Sequence, residues 1–279
     1  MNHSIRIGSI RGITIRIHRM VLWMLGAYLF FLLLKGEDVA ASLIGLGTLI
    51  GLVLLHELGH SIAAQRLGIR VVDITIWPLG GMARMSEIPE DSRIEGLIAV
   101  AGPAVNFALA FLAIVVGIFS GLSLLSPNSF LTVFIVVNLL LGTFNLLPAF
   151  PMDGGRVLRA WFGRKGDWVG ATEKAVKVGR VIALLFVFPG FYWSLALPFI
   201  GVFVWLTGAK ELLSVRMRHG LNPLTGFAAS SSPFGAAFDP RAAAAPASES
   251  PEGTGSGFSD ADIAALESYR GRLKRSSED

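Results

Sequence analysis

From Gly96 to Met152 the chain runs 57 residues without an Asp, Glu, Lys or Arg. Nothing else in the sequence constrains the fold as strongly. A bilayer core takes about 20 helical residues, so this run is too long for one crossing. It is also too apolar to cover a soluble domain. Ser120-Gly-Leu-Ser-Leu-Leu-Ser-Pro-Asn-Ser129 places turn formers in its middle and divides it into helices over 96–119 and 130–148. Of the 279 residues, 53% are hydrophobic and 16% charged, whereas soluble domains carry about 25% charged residues. The chain therefore reads as an α-helical integral membrane protein. It has no cysteine, which excludes a disulfide framework and a thiolate metal site.

Three further apolar runs complete the membrane part. Met20–Leu34 lies between Arg19 and Lys35. It is short for a span, and His18 and Arg19 can snorkel at its edge. A second span covers 40–66. Val181–Ala209 is uncharged and interrupted by Pro189-Gly190, which predicts two spans if the first starts near Lys174. The sum is about six transmembrane helices. With six, 18 of the 19 basic residues before 239 fall on one side, and only Lys35 falls opposite. That asymmetry places the protein in the cell membrane, multi-pass, with both termini cytoplasmic. It also assigns the high isoelectric point to topology and to contact with the lipid bilayer; no nucleic acid partner is expected. The N-terminus carries no small-residue cleavage site after its apolar run and does not read as a signal peptide.

Two segments have the period of strands instead. Ile5/Ile7 and Ile13/Ile15/Ile17 alternate with polar residues, with Gly8-Ser9 and Gly12 as turn candidates. Residues 69–86 are rich in β-branched side chains around Pro78 and Gly80-Gly81. Both predict small β-hairpins at the cytoplasmic membrane surface. The second either shields its neighbours, offers an edge to an extended peptide, or merely connects. Glu87–Glu95 reads as a polar connector. The resulting organisation is an N-terminal cytoplasmic β segment (1–19), a transmembrane core (20–210) and a cytoplasmic tail (211–279). The tail is Ala/Ser/Pro/Gly-rich and disordered from Asn222, with a short amphipathic helix fitting 259–274.

The chemistry sits in His56-Glu57-Leu58-Gly59-His60, inside the second apolar run. Histidines four apart share one helical face and can bind one metal ion. This is the zinc-peptidase pattern H-E-x-x-H, with the Glu placed as a general base. Charged and ionisable groups are costly inside a membrane helix and mark function; polar glue between helices is the competing reading. A zinc hydrolase needs a third protein ligand. Asp153, the first acid after the long uncharged run, follows Pro148 and Pro151 at the end of the fourth span. The second and fourth spans both run inward, which brings Asp153 to the same side as the histidines. The expected cofactor is one Zn2+ per chain, on His56, His60 and Asp153.

These motifs resemble the site-2 protease family of intramembrane zinc metalloproteases. The resemblance is carried by His56–His60, Gly80-Gly81, Gly102-Pro103-Ala104-Val105-Asn106 and Asn145-Leu-Leu-Pro-Ala-Phe-Pro-Met-Asp-Gly-Gly-Arg156. It implies His56, His60 and Asp153 as zinc ligands and Glu57 as catalytic base. It further implies cleavage of a membrane-protein substrate in or near its transmembrane helix, of the anti-sigma-factor or membrane-tethered transcription-factor type. Asn106, Asn145, Gly80 and Gly81 would help position substrate. The six-span branch often ends in a regulatory nucleotide-sensing module, and other members carry a PDZ domain; neither is evident here. A metal or proton transporter using the same His/Asp groups is the alternative, and a catalytically dead scaffold a third.

Overall fold

The computed structural model describes residues 4–221 except 37, 79, 87, 123, 125, 127, 128 and 195. The tail expectations, the linker and the helix over 259–274, lie outside these residues. The described chain is mostly helical, with one small sheet. Its elements are β1 (Ser4–Ile10), β2 (Ile13–His18), α1 (Arg19–Lys35), α2 (Val39–Arg66), β3 (Val71–Trp77), β4 (Gly80–Met85), α3 (Ser92–Phe119), α4 (Phe130–Asn145), α5 (Asp153–Phe162), α6 (Trp168–Trp193) and α7 (Ala196–Arg218). A 3-10 turn, Gly163–Lys165, follows α5.

α2, α3 and α6 start where side chains satisfy their free N–H groups. Asp38 Oδ1 accepts from the N–H of Ala40 and Ala41 at 2.9 and 3.1 Å. Asp91 does the same for α3 through Arg93 and Ile94, and Asp167 caps α6 through Gly170. The polar connector is therefore shorter than expected: α3 begins at Ser92, and Glu95 is inside its first turn. Two helices do cover the Val181–Ala209 run, but the first, α6, starts at Trp168 rather than near Lys174, and the break differs from the expected one. Pro189 lies within α6, and the chain breaks at Ser194. A proline costs a membrane helix only one backbone hydrogen bond, which neighbouring groups can make good.

The two hairpins are not separate. β2 pairs with β3 in parallel, Thr14 opposite Asp73 through Ile17 opposite Ile76. The order β1-β2-β3-β4 makes one four-stranded sheet with β1 and β4 at its edges. The β1–β2 turn falls at Arg11-Gly12, both at positive φ; Gly8 sits at a bulge. Ile13, Ile69, Val71 and Ile74 pack with Leu58 and Ala64 of α2 and Ile98 of α3. This cluster fixes the sheet against the motif-bearing helix.

The helical part is apolar outside and buries several polar groups within. Trp23, Phe30, Phe31, Leu34, Ile44, Phe111, Phe119, Leu140, Leu185 and Phe199 are exposed, while His56, His60, Asn106, Asn138 and Asp153 are buried. Exposed apolar surface on this scale needs lipid to cover it. Among the described residues, three helices are long and apolar enough to cross a membrane: α2, α3 and α7. α4 is apolar but shorter.

Candidate metal centre

The His-x-x-x-His spacing does what helix geometry dictates. His56 and His60 project from one face of α2, their Nε2 atoms 3.1 Å apart. The third group comes from α5. The chain leaves α4 at Asn145 and turns through Leu146–Met152, whose Ala149, Phe150 and Met152 are buried against α6 and α7. Asp153 then opens α5, where a carboxylate suits the positive end of the helix dipole. Two glycines permit the close turn: a Cβ on Gly154 would lie 2.2 Å from the Leu146 carbonyl oxygen, and one on Gly155 would lie 2.7 Å from the Ala149 carbonyl carbon. Asp153 Oδ2 stands 3.2 Å from His56 Nε2 and 3.1 Å from His60 Nε2.

Three ligand atoms thus form a nearly equilateral triangle. Tetrahedral zinc with bonds of about 2.0–2.1 Å sets ligand atoms about 3.3 Å apart, so the triangle fits one ion. The proton inventory fits too. His60 Nδ1 lies 2.6 Å from the backbone carbonyl of Ile98, a group that only accepts, so Nδ1 carries the proton. His56 Nδ1 lies 2.6 Å from Asn106 Oδ1 and donates likewise. Both Nε2 atoms then present lone pairs toward each other and toward a carboxylate oxygen, an arrangement that a bound cation satisfies. His56, His60 and Asp153 form a group able to hold a metal ion. The floor of the site is bare backbone: a Cβ on Gly102 of α3 would sit 2.2 Å from His60 Nε2 and 2.8 Å from His56 Nε2.

The remaining expected residues divide. Glu57 is half-buried beside the triangle, and its carboxylate is hydrogen-bonded by the backbone of Ala83 on β4. Gly81 is pressed on the same side chain, its absent Cβ only 2.3 Å from Glu57 Cγ. Gly80, at φ 139°, opens β4 opposite Trp77. Asn106 is fully buried behind His56, spent on that histidine and on Asn138. Asn145 donates to its own helix, to the Leu141 carbonyl at 2.9 Å. Asn138, fully buried on α4, was not anticipated. Its signal was present in the sequence: seven residues from Asn145, it shares that residue's face two turns earlier.

Two more buried acids, Glu95 and Asp73, escaped sequence reasoning. Glu95 is bound by Arg159 of α5, its Nε donating at 3.0 Å, and Arg159 also reaches Glu211 of α7. Asp73 of β3 is held by Arg84 and Arg16.

Comparison with known proteins settles the family. Residues 44–127 and 120–187 match the model of peptidase family M50. The chain belongs to that family. A zinc metalloprotease of Methanocaldococcus jannaschii is 34% identical over 216 residues, covering 76% of this chain and 61% of that protein. The Rip3 protein of Mycobacterium tuberculosis is 34% identical over 235 residues, 76% of this chain and 59% of its own length. The chain thus spans 59–61% of the length of these curated relatives. The solved structure of a site-2 protease from Methanocaldococcus jannaschii superposes with a TM-score of 0.55 at 32% identity, covering 75% of this chain and 95% of that one. This family member is a membrane protein whose cofactor is zinc.

Proposed function

We propose that the protein is a zinc-dependent intramembrane endopeptidase that cleaves a transmembrane segment of membrane-tethered regulatory proteins. One observation carries this reading. Three lone pairs converge at 3.1–3.2 Å beside a carboxylate from the same helical turn, in a chain of peptidase family M50. When bound, zinc would supply Lewis acidity, acidifying water and polarising a scissile carbonyl. His56, His60 and Asp153 hold the ion. Glu57 takes the proton of the attacking water and returns it to the departing amine; the Ala83 backbone and the bare face of Gly81 aim its carboxylate. β4 is a sheet edge next to Glu57, so an extended substrate strand added there would lie along the site. Gly80, Gly81 and Asn145 belong to that approach, and membrane-anchored anti-sigma factors or transcription-factor precursors are the substrate type.

The same reading takes α1, α4 and α6 as membrane crossings besides α2, α3 and α7. That gives six spans, a transmembrane core over 20–210 and both termini in the cytoplasm, supported by the one-sided distribution of Lys and Arg. The test is Glu57→Gln, reconstituted with a single-span reporter. Cleavage should fall to background while zinc stays bound. Undiminished cleavage would contradict the proposal, and zinc flux through the variant would favour transport instead.

A further inference from the structure

His60 and His56 obtain their tautomers in different ways. A backbone carbonyl fixes His60 directly, because the Ile98 oxygen can only accept. His56 faces a side-chain amide. Asn106 could turn either its oxygen or its NH2 toward Nδ1, at equal length. Only the first leaves the Nε2 lone pair free for a metal; the second demands a proton on Nε2.

The choice is made one residue further away. Asn138 Nδ2 donates to the Phe134 carbonyl at 2.8 Å, and a carbonyl cannot be faced by the amide oxygen without repulsion. The Asn138 oxygen is thereby turned to α3, where it accepts from Asn106 Nδ2 at 3.2 Å. Asn106 must then present Oδ1 to His56, at 2.6 Å. Asn106 and Asn138 are both fully buried, so water does not compete for these bonds. We infer that Asn138 is a positioning residue of the metal centre: through Asn106 it holds His56 in the tautomer that binds metal. The backbone of α4, which contributes no ligand, thus sets the proton on a ligand of α2.

This rests on the zinc reading of the triad and is separable from it. Zinc affinity of the full chain in detergent is measured by competition with a chromophoric chelator. Asn138→Leu should weaken binding by about 10–100-fold, the usual effect of losing an outer hydrogen-bond partner. Asn138→Ala should read the same loss if the leucine variant does not fold. Asn106→Asp, added to either, should restore most of the affinity, since both oxygens of a carboxylate accept and need no orienting partner. A merely structural role in α3–α4 packing would not be rescued by that change. Unaltered affinity in the Asn138 variants, or a double variant as weak as the single, overturns the inference. Failure of the unsubstituted protein to bind zinc overturns the triad reading itself.

Discussion

Two buried polar clusters share the short helix α5, and they differ in whether their charges close. At its N-terminus, Asp153 meets two imidazoles whose lone pairs face it. Nearer its C-terminus, Arg159 bonds Glu95 and Glu211, and Arg156 Nε stands 3.5 Å from Glu95. The second cluster holds two acids and two guanidinium groups and is complete. Phe150 and Trp168 cover Arg159, their ring centres 5.1 and 5.3 Å from its guanidinium carbon. The first holds the carboxylates of Asp153 and Glu57 and no guanidinium or ammonium group. A bound divalent ion would balance it. Burial alone does not mark a site inside a membrane protein. An unbalanced inventory of protons and charges does.

The largest way to break this comparison is Arg159→Leu. It leaves Glu95, 2% exposed, with only Arg156 at 3.5 Å, which costs up to about 3–5 kcal/mol. Unfolding of the metal-free protein should move by that amount, read by denaturant titration in detergent. The corresponding removal of Asp153 should cost the metal-free protein much less, because no guanidinium depends on that carboxylate.

A third buried acid sharpens the contrast at smaller scale. Hydrogen bonds from Arg84 hold Asp73 below the usual carboxylate range; burial opposes this, and the charges of Arg84 and Arg16 add to it. A depressed folded-state value stabilises the fold above the unfolded value, and the contribution disappears as pH falls through the folded one. Arg84 is 60% exposed, so solvent screens the pair. Asp73→Asn should therefore erase only a small part of the acid-side loss of stability, with little effect near neutrality. Thermal unfolding of the variant and the parent between neutral and acid pH checks this.

Much of this was legible because the relevant physics is local. The uncharged runs gave α2, α3 and α4 within a few residues, since lipid exposure tolerates no charge. The four-residue histidine spacing fixed a shared face whatever the tertiary context. Asp153 was legible as the first acid after an apolar stretch. The parallel pairing of β2 with β3 was hidden, because their contact joins residues far apart in sequence and no turn motif announces it. Glu95 and Arg159 were hidden for a related reason. Each looks like a surface charge in its own segment, and only the approach of α3 to α5 buries them together. Asn138 lay unremarked because an amide within an apolar helix acquires meaning from what faces it. The α6–α7 break was placed at Pro189, where a rule for water-exposed helices was applied to a helix in lipid.

The triad's metal content is the most direct test of the zinc site. Metal analysis of the full chain, purified without chelator and equilibrated with limiting zinc, should give one zinc per chain, and Asp153→Ala should hold none under the same conditions. Zinc bound equally by the Asp153→Ala protein, or absent from the unsubstituted one, would contradict it.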